Sequence, residues 1–319
     1  MLIVAIKGNI PVLKKIDGKI GNVEIAIVLD SYLLGETAQS WFPLFDREAI
    51  RQHEYWLCPR HYDSETGRIP MPVQTFVLRT EHHVILVDTC IGSHKERPGV
   101  SEMHRLTTRY LDRLAAVGLA PEDVDFVMCT HLHVDHVGWN TRLLDGRWVP
   151  TFPNAQYVMS QLEFDATQDL AKQPDVLAAI RNCFEDSVLP IVEAGKAIFV
   201  NGIQEMLDGF TLRPAPGHSP GHIRIEMRSG NELGVFAGDL VHSPIQIPFW
   251  KWSTRVCTNG EQAANTRREL LEFCVEENAL LLPCHFEAPH VARIRDNHGQ
   301  FSADFGWEND RSPCNNRNY

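Results

Sequence analysis

The chain has 319 residues, 44% hydrophobic and 22% charged, and its 41 acidic against 30 basic residues give a formal net charge of −11. That length suits one large α/β domain or two modest ones. So acidic a surface repels phosphate backbones and anionic membranes, which sets nucleic acid aside as a partner. No apolar run approaches the roughly 18 residues a membrane span requires. The apolar start at 1–6 meets Lys7 too soon for a secretory signal, so it reads as a first strand of a cytoplasmic protein. Of eight cysteines (Cys58, Cys90, Cys129, Cys183, Cys257, Cys274, Cys284 and Cys314) none forms a CxxC pair, and reduced, mostly buried thiols are expected.

In chain order, residues 1–35 carry short glycine-punctuated apolar stretches that read as strands. Residues 36–72 interleave Trp41, Phe42, Phe45, Tyr55 and Trp56 with charge. This segment reads as an excursion from the core that covers a pocket, a dimer partner, or both. Segments 73–78 and 84–87 fit a hairpin of buried strands, ending at Asp88-Thr89. Over 104–117, Leu106, Tyr110, Leu111, Leu114 and Val117 share one helical face, and Gly118 ends the helix. Segment 124–129 is a short apolar run typical of a covered parallel strand. Beyond it, 155–159 reads as a strand and 161–194 as mostly helical, with a break near Gln173-Pro174. Segments 197–200, 210–213, 223–227 and 233–237 read as strands, 260–277 as an amphipathic helix, and 280–282 as a last buried strand. With no internal repeat and no linker, the reading is a single domain over 1–305, followed by a polar tail at 306–319.

The chemistry gathers at Thr130-His131-Leu132-His133-Val134-Asp135-His136. Three imidazoles and a carboxylate follow directly on a buried strand, and ligands in α/β sheets collect at the carboxyl ends of strands. In an extended turn His131 and His133 point the same way, while Asp135 and His136 point elsewhere, so one loop can feed two metal sites.

This motif resembles the hallmark of the metallo-β-lactamase superfamily. Pro216-Gly217-His218-Ser219-Pro220-Gly221-His222 is similar to the family's next histidine loop, Phe236-Ala237-Gly238-Asp239 to its bridging-aspartate strand end, and Pro283-Cys284-His285 to its last histidine. The resemblance runs from about residue 73 to about 294 and implies an α/β fold, the αββα sandwich, with metals at one edge. It implies that His131, His133 and His218 hold one ion, that Asp135, His136 and His285 hold the other, and that Asp239 bridges them. Such a donor set suits two zinc ions and also accepts manganese, iron or cobalt. Asp88 matches a family position that orients a ligand imidazole. Thr130 and Ser219 can hydrogen-bond nearby ligand groups, and His222 reads equally as a support of the ligands, as pocket wall or as surface.

The implied chemistry is hydrolysis by a hydroxide that bridges two ions, with Asp239 positioning the pair and Asp135 passing a proton. Lactonases of the family place a tyrosine three residues after the bridging aspartate, whereas this chain has His242 there. Motif spacing is closest to the methyl parathion hydrolase and lactonase-like branch, and His242 either polarises a substrate oxygen or packs against the pocket wall. Trp139, Phe249, Trp250, Trp252 and Phe286 suggest an apolar slot for an aryl or acyl group. The expected substrate is a small uncharged ester-type molecule: a lactone, an aryl ester or a phosphotriester. Hydrolytic removal of halide from an activated arene is the alternative, and a non-catalytic metal-sensing module the third reading. A homodimer built on 36–72 is also expected.

Overall fold

The computed structural model describes residues 13–33, 36–207 and 209–307. The strand expected at 1–6 and the tail from 308 lie outside the described residues. Two seven-stranded sheets face each other. The first runs in the order Gly18–Ile20, Val23–Leu33, Met71–Arg79, Val84–Val87, Phe126–Met128, Gln156–Ser160 and Ala197–Val200. The second runs Gln204–Met206, Phe210–Pro214, Ile223–Ser229, Glu232–Gly238, Leu280–Pro283, Ala292–Asn297 and Gln300–Phe305. Parallel pairing joins the last four strands of the first sheet and the Glu232–Gly238/Leu280–Pro283 pair of the second.

The apolar runs are continuous because both faces of each central strand are covered. Ile85, Val87, Phe126 and Met128 meet Phe236, Leu280 and Leu282 between the sheets. Val84, Leu86, Val127 and Cys129 turn outward, toward Tyr110 and Leu114 of helix Tyr110–Ala116. Val235, Ala237 and Leu281 pack under helix Gly260–Glu276, against Leu270, Leu271 and Cys274. These layers make the expected αββα sandwich. Burial of each such side chain stabilises by about 1.5 to 3 kcal/mol, so the loops leaving these strand ends start from rigid anchors. No helix among the described residues is long and apolar enough to cross a membrane, and the seven described cysteines are all free thiols.

Two readings are corrected. The helix expected over 104–117 begins only at Tyr110, because the backbone of 94–106 pairs with itself first. His94 N donates to Leu106 O, Arg105 N donates to Lys95 O, and Arg105 is left-handed at φ 53°. Two hairpins were missed. Thr141–Leu144 pairs with Arg147–Pro150 through Asp145-Gly146, and Ala292–Asn297 pairs with Gln300–Phe305 through His298-Gly299. All four loop residues have positive φ, as two-residue hairpin turns of this hand demand. The Asp-Gly pair was the legible signal.

The excursion forms three short helices, Ala38–Trp41, Arg47–Arg51 and Glu54–Leu57, and a bridge between Thr37 and Arg68 closes its base. Helices this short do not persist alone and are held by packing. Phe45 meets Trp252 edge-on at 5.7 Å, His53 meets Phe249 at 5.1 Å, and His61 stacks on Phe305 at 4.7 Å. Most of its aromatic rings therefore turn into the protein, Tyr55 being the exposed exception.

His61 is buried, its Nδ1 has no partner, and burial lowers its imidazole from 6.5 to about 3. The unfolded chain takes this proton near 6.5 and the folded chain only near 3. The group's contribution to stability is therefore complete above 6.5 and is lost as pH falls through that window. His61→Phe should flatten the loss of stability between neutral pH and about pH 5, read by urea unfolding at both. An unchanged difference between the two pH values would contradict this.

Candidate metal centre

The ends of four buried strands deliver the site. Asp88 follows Val84–Val87, and the 130–136 loop follows Phe126–Met128. Asp239 follows Glu232–Gly238, and His285 follows Leu280–Pro283. His218 comes from the loop between Phe210–Pro214 and Ile223–Ser229. Two groups of donors result. His131, His133, His218 and Asp239 have donor atoms within 4.8 Å of one another, and so do Asp135, His136 and His285.

Asp239 stands between the groups and divides its oxygens. Its Oδ1 lies 3.3 Å from His136 Nε2 and 3.1 Å from His285 Nε2. Its Oδ2 lies 3.2 Å from His218 Nε2 and 3.7 Å from His131 Nε2. Asp135 reaches the second group, at 3.6 Å from His285 Nε2 and 3.8 Å from His136 Nε2.

Outer contacts fix which ring nitrogen faces inward. Asp88 Oδ2 sits 2.9 Å from His136 Nδ1. The same carboxylate accepts from Thr130 N and Oγ1, each at 2.8 Å, and from Cys284 Sγ at 3.0 Å. Asp88, His136 and Cys284 have the spacing of a third donor group. Asp88 Oδ2 already meets His136, Thr130 Oγ1 and Cys284, so this group reads as a support for His136. Thr130 Oγ1, having donated to Asp88, is free to accept from His131 Nδ1 at 3.1 Å. His285 Nδ1 faces Pro72 O at 2.8 Å, and His218 Nδ1 faces Cys257 Sγ at 3.7 Å. In each case Nε2 is left toward the cluster, as in metal-ligating histidines generally.

His222 supports the bridge: its Nε2 accepts from Asp239 N at 3.1 Å. Gly238, at φ +50°, makes this possible, since a Cβ there would stand 2.6 Å from both His222 Nε2 and Thr130 Oγ1. Ser219 touches no ligand directly. Its hydroxyl donates to Glu163, which also accepts from Gly221 N and Leu132 N. The sequence reading missed Glu163, and also Cys284 and Cys257, although Cys284 is the immediate neighbour of His285.

The electrostatics suit cations. Burial drives His131 and His218 well below the usual histidine range, as neutral metal ligands require. Burial alone would lower His136 and His285 too, but facing carboxylates raise both: Asp239, Asp135 and Asp88 for His136, Asp239 and Asp135 for His285. Burial would raise Asp239, yet the surrounding imidazoles, His136 foremost, hold it well below the carboxylate range. His131 Nε2, His136 Nε2 and Asp239 Oδ1 are buried and have no hydrogen-bond partner. Buried polar atoms are seldom left so. Orphaned lone pairs converging from two imidazoles and the Asp239 carboxylate fit divalent ions.

Of the residues expected to line a pocket, Phe249 and Trp252 stack at 4.2 Å on the loop that leaves His242 and meet the excursion. The other three are corrected. Trp139 is core, stacked on Tyr110 at 5.3 Å and donating to Asp30. Phe286 is fully buried under the second sheet. Trp250 lines an outer groove of about 520 Å³ beside Arg268 and Glu272. Proximity in sequence to a ligand did not carry these rings to the site: Phe286 leaves its strand end on the side opposite His285, and Trp139 is turned into the core by the 3-10 turn Gly138–Asn140. Trp41 was read only as part of the excursion. Its ring meets His242 edge-on at 5.8 Å, and its indole N–H is buried without a partner.

Fold and donor set together define a class: a two-sheet α/β protein with paired histidine-carboxylate metal groups where strands of both sheets end. The chain belongs to the metallo-beta-lactamase superfamily, whose family description matches residues 68–285. It is similar to an N-acyl homoserine lactonase of Bacillus cereus, 29% identical over 167 residues, covering 48% of this chain and 56% of that protein. It is also similar to the N-acyl homoserine lactonase AttM of Rhizobium radiobacter, 33% identical over 130 residues and covering 38% and 42%. The chain thus spans about half the length of the curated relatives it matches. Solved structures of like shape include AidC, a dizinc quorum-quenching lactonase (TM-score 0.71, 22% identity, 93% of this chain and 98% of that one). Another is the hydrolase AbOPH (TM-score 0.74, 23% identity, 92% and 98%). At these identities the likeness shows the fold.

Proposed function

We propose that this protein is a metal-dependent hydrolase of small, uncharged ester-type substrates: a lactone, an aryl ester or a phosphotriester. The observation that carries the reading is the division of Asp239, one oxygen toward each donor group. His131, His133 and His218 would hold one ion and Asp135, His136 and His285 the other, with Asp239 shared. Zinc is the first choice for so nitrogen-rich a set. Bound there, the ions supply a water of lowered pKa and a Lewis acid for the substrate's oxygen.

The chain's own residues do the rest. Asp135, the most accessible carboxylate of the two groups, accepts the proton released on attack and returns it to the leaving oxygen. His242 is buried, and burial keeps its imidazole below the usual range, so near neutral pH it is an uncharged donor. Both of its ring nitrogens lack hydrogen-bond partners, and its Nε2 sits 3.1 Å from Asp239 Oδ2. An N–H placed there can polarise a carbonyl or phosphoryl oxygen, the task that tyrosine performs in the resembling lactonases. Gln246 fixes this residue by accepting from His242 N at 2.7 Å and donating to Trp252 O at 2.7 Å. Trp41 meets His242, and the Phe249–Trp252 stack packs nearby, an apolar surrounding that favours an uncharged acyl or aryl group. Because the relatives are named lactonases, a lactone is the first substrate to try.

The test is a panel of lactones, aryl esters and phosphotriesters with zinc, manganese or cobalt, each assayed with and without chelator. The reading expects turnover on at least one class, abolished by chelator and restored by metal. Turnover on none, or turnover that ignores chelator, would sink it. In the same assay His242→Ala should lower kcat by about 100-fold while metal content and KM change little. A variant that keeps wild-type kcat removes His242 from the chemistry.

A further inference from the structure

We infer that Glu163 is a positioning residue that sets the spacing of the first metal group more than that of the second, which has supports of its own; this rests on the reading of the site given above. Glu163 occupies the third position of helix Gln161–Ala171, whose cap is Ser160. Ser160-Gln161-Leu162-Glu163 is the pattern of a capping box, in which the glutamate would turn back to the cap's own N–H. Here only half of the box forms. Ser160 Oγ accepts from Glu163 N at 3.3 Å, while the carboxylate points out of the helix. It is buried, 2% exposed.

Three donors from two loops meet it. Oε1 accepts from Leu132 N at 3.3 Å. Oε2 accepts from Ser219 Oγ and from Gly221 N, each at 2.8 Å. Leu132 lies between His131 and His133, and Ser219 and Gly221 follow His218. One side chain thereby ties together the two loops that carry all three imidazoles of the first group. Gly221 marks the closeness of the fit, because a Cβ there would stand 2.1 Å from Glu163 N and 2.6 Å from its Cα. Asp135, His136 and His285 receive no hydrogen bond from Glu163. The support of that group comes from Asp88 and Pro72 O.

Only an acceptor at both oxygens satisfies this arrangement. Glutamine offers one oxygen and one NH2, and either orientation sets the NH2 against a backbone N–H, of Leu132 or of Gly221. Glu163→Gln should therefore splay the two loops at constant side-chain size. The expected result is a weakening of one metal site by about 10- to 100-fold, the range for partners just outside a ligand set. The other site, held by Asp88 and Pro72 O, should weaken far less.

The experiment measures metal content and competitive cobalt titration, with the visible cobalt spectrum, on wild type, Glu163→Gln and Ser219→Ala. Ser219→Ala removes one donor and keeps the carboxylate, so a smaller weakening of the same site is expected. Selective loss of one ion from folded Glu163→Gln bears the inference out. Two ions held as tightly as in wild type overturn it, and equal weakening of both sites overturns it as well. If Glu163→Gln does not fold, Ser219→Ala decides: a selective weakening supports the inference and none refutes it. A wild type that takes up no second ion would topple the reading of the site first, and this inference with it.

Discussion

Asp239→Asn should strip both ions together and lower kcat/KM by more than about 100-fold, the upper cost of losing a partner just outside a ligand set. The change keeps size and shape and removes one acceptor oxygen and the charge. Because each oxygen of Asp239 faces a different donor group, neither group keeps its full set in the variant. His136→Ala provides the contrast, since His136 belongs to the second group alone. Metal analysis of the two purified proteins reads the difference. Both ions should be depleted in Asp239→Asn and chiefly one in His136→Ala. An asparagine variant that retains wild-type metal content would remove Asp239 from the bridge.

Chelation should lower thermal stability as sharply as it lowers activity. Each ion held at a free concentration 1,000-fold above its Kd stabilises by about 4 kcal/mol. At about 2 to 4 °C per kcal/mol this is roughly 10 °C in Tm per ion. The physical source is visible in the donors themselves: His131 Nε2, His136 Nε2 and Asp239 Oδ1 are buried without hydrogen-bond partners. Protons compete for the same nitrogens, since facing carboxylates raise His136 and His285. The metal-dependent part of Tm should therefore be largest above their titration and shrink as pH falls through it. Differential scanning with zinc and with chelator, at several pH values, measures both effects. A Tm indifferent to chelator would mean that no ion is bound tightly.

Much of this architecture was legible because its signals are local. Continuous apolar runs of the right length marked the buried strands, and the polar residues just after them marked the site. The 130–136 loop, His218, Asp239 and His285 could be read in order, and the structure brings them together. What was not legible depends on direction and on distant pairing. Trp139 and Phe286 follow ligand residues closely in sequence, yet the 3-10 turn Gly138–Asn140 turns the first ring into the core and the alternation of the chain after Leu280–Pro283 does so for the second. Glu163 carries the pattern of a helix cap, and only the fold shows its carboxylate spent on two loops, 31 and 58 residues away. Trp41 reaches His242 from about 200 positions up the chain by way of the excursion, a contact without local signature. The helix expected at 104 failed because a periodic pattern does not reveal a left-handed residue at Arg105.

Each donor group draws on both sheets: His131, His133, Asp135 and His136 on one, His218, Asp239 and His285 on the other. An ion seated in either group would act as a rivet between two half-molecules, adding to the apolar seam between the sheets and to the hydrogen bonds that cross it, such as those of Glu163 and Asp88. Cut in the turn near Gly202 and produced as two pieces, the halves should reassemble far more readily with zinc than without. The centre would then serve as the clasp of the molecule as well as its chemical tool.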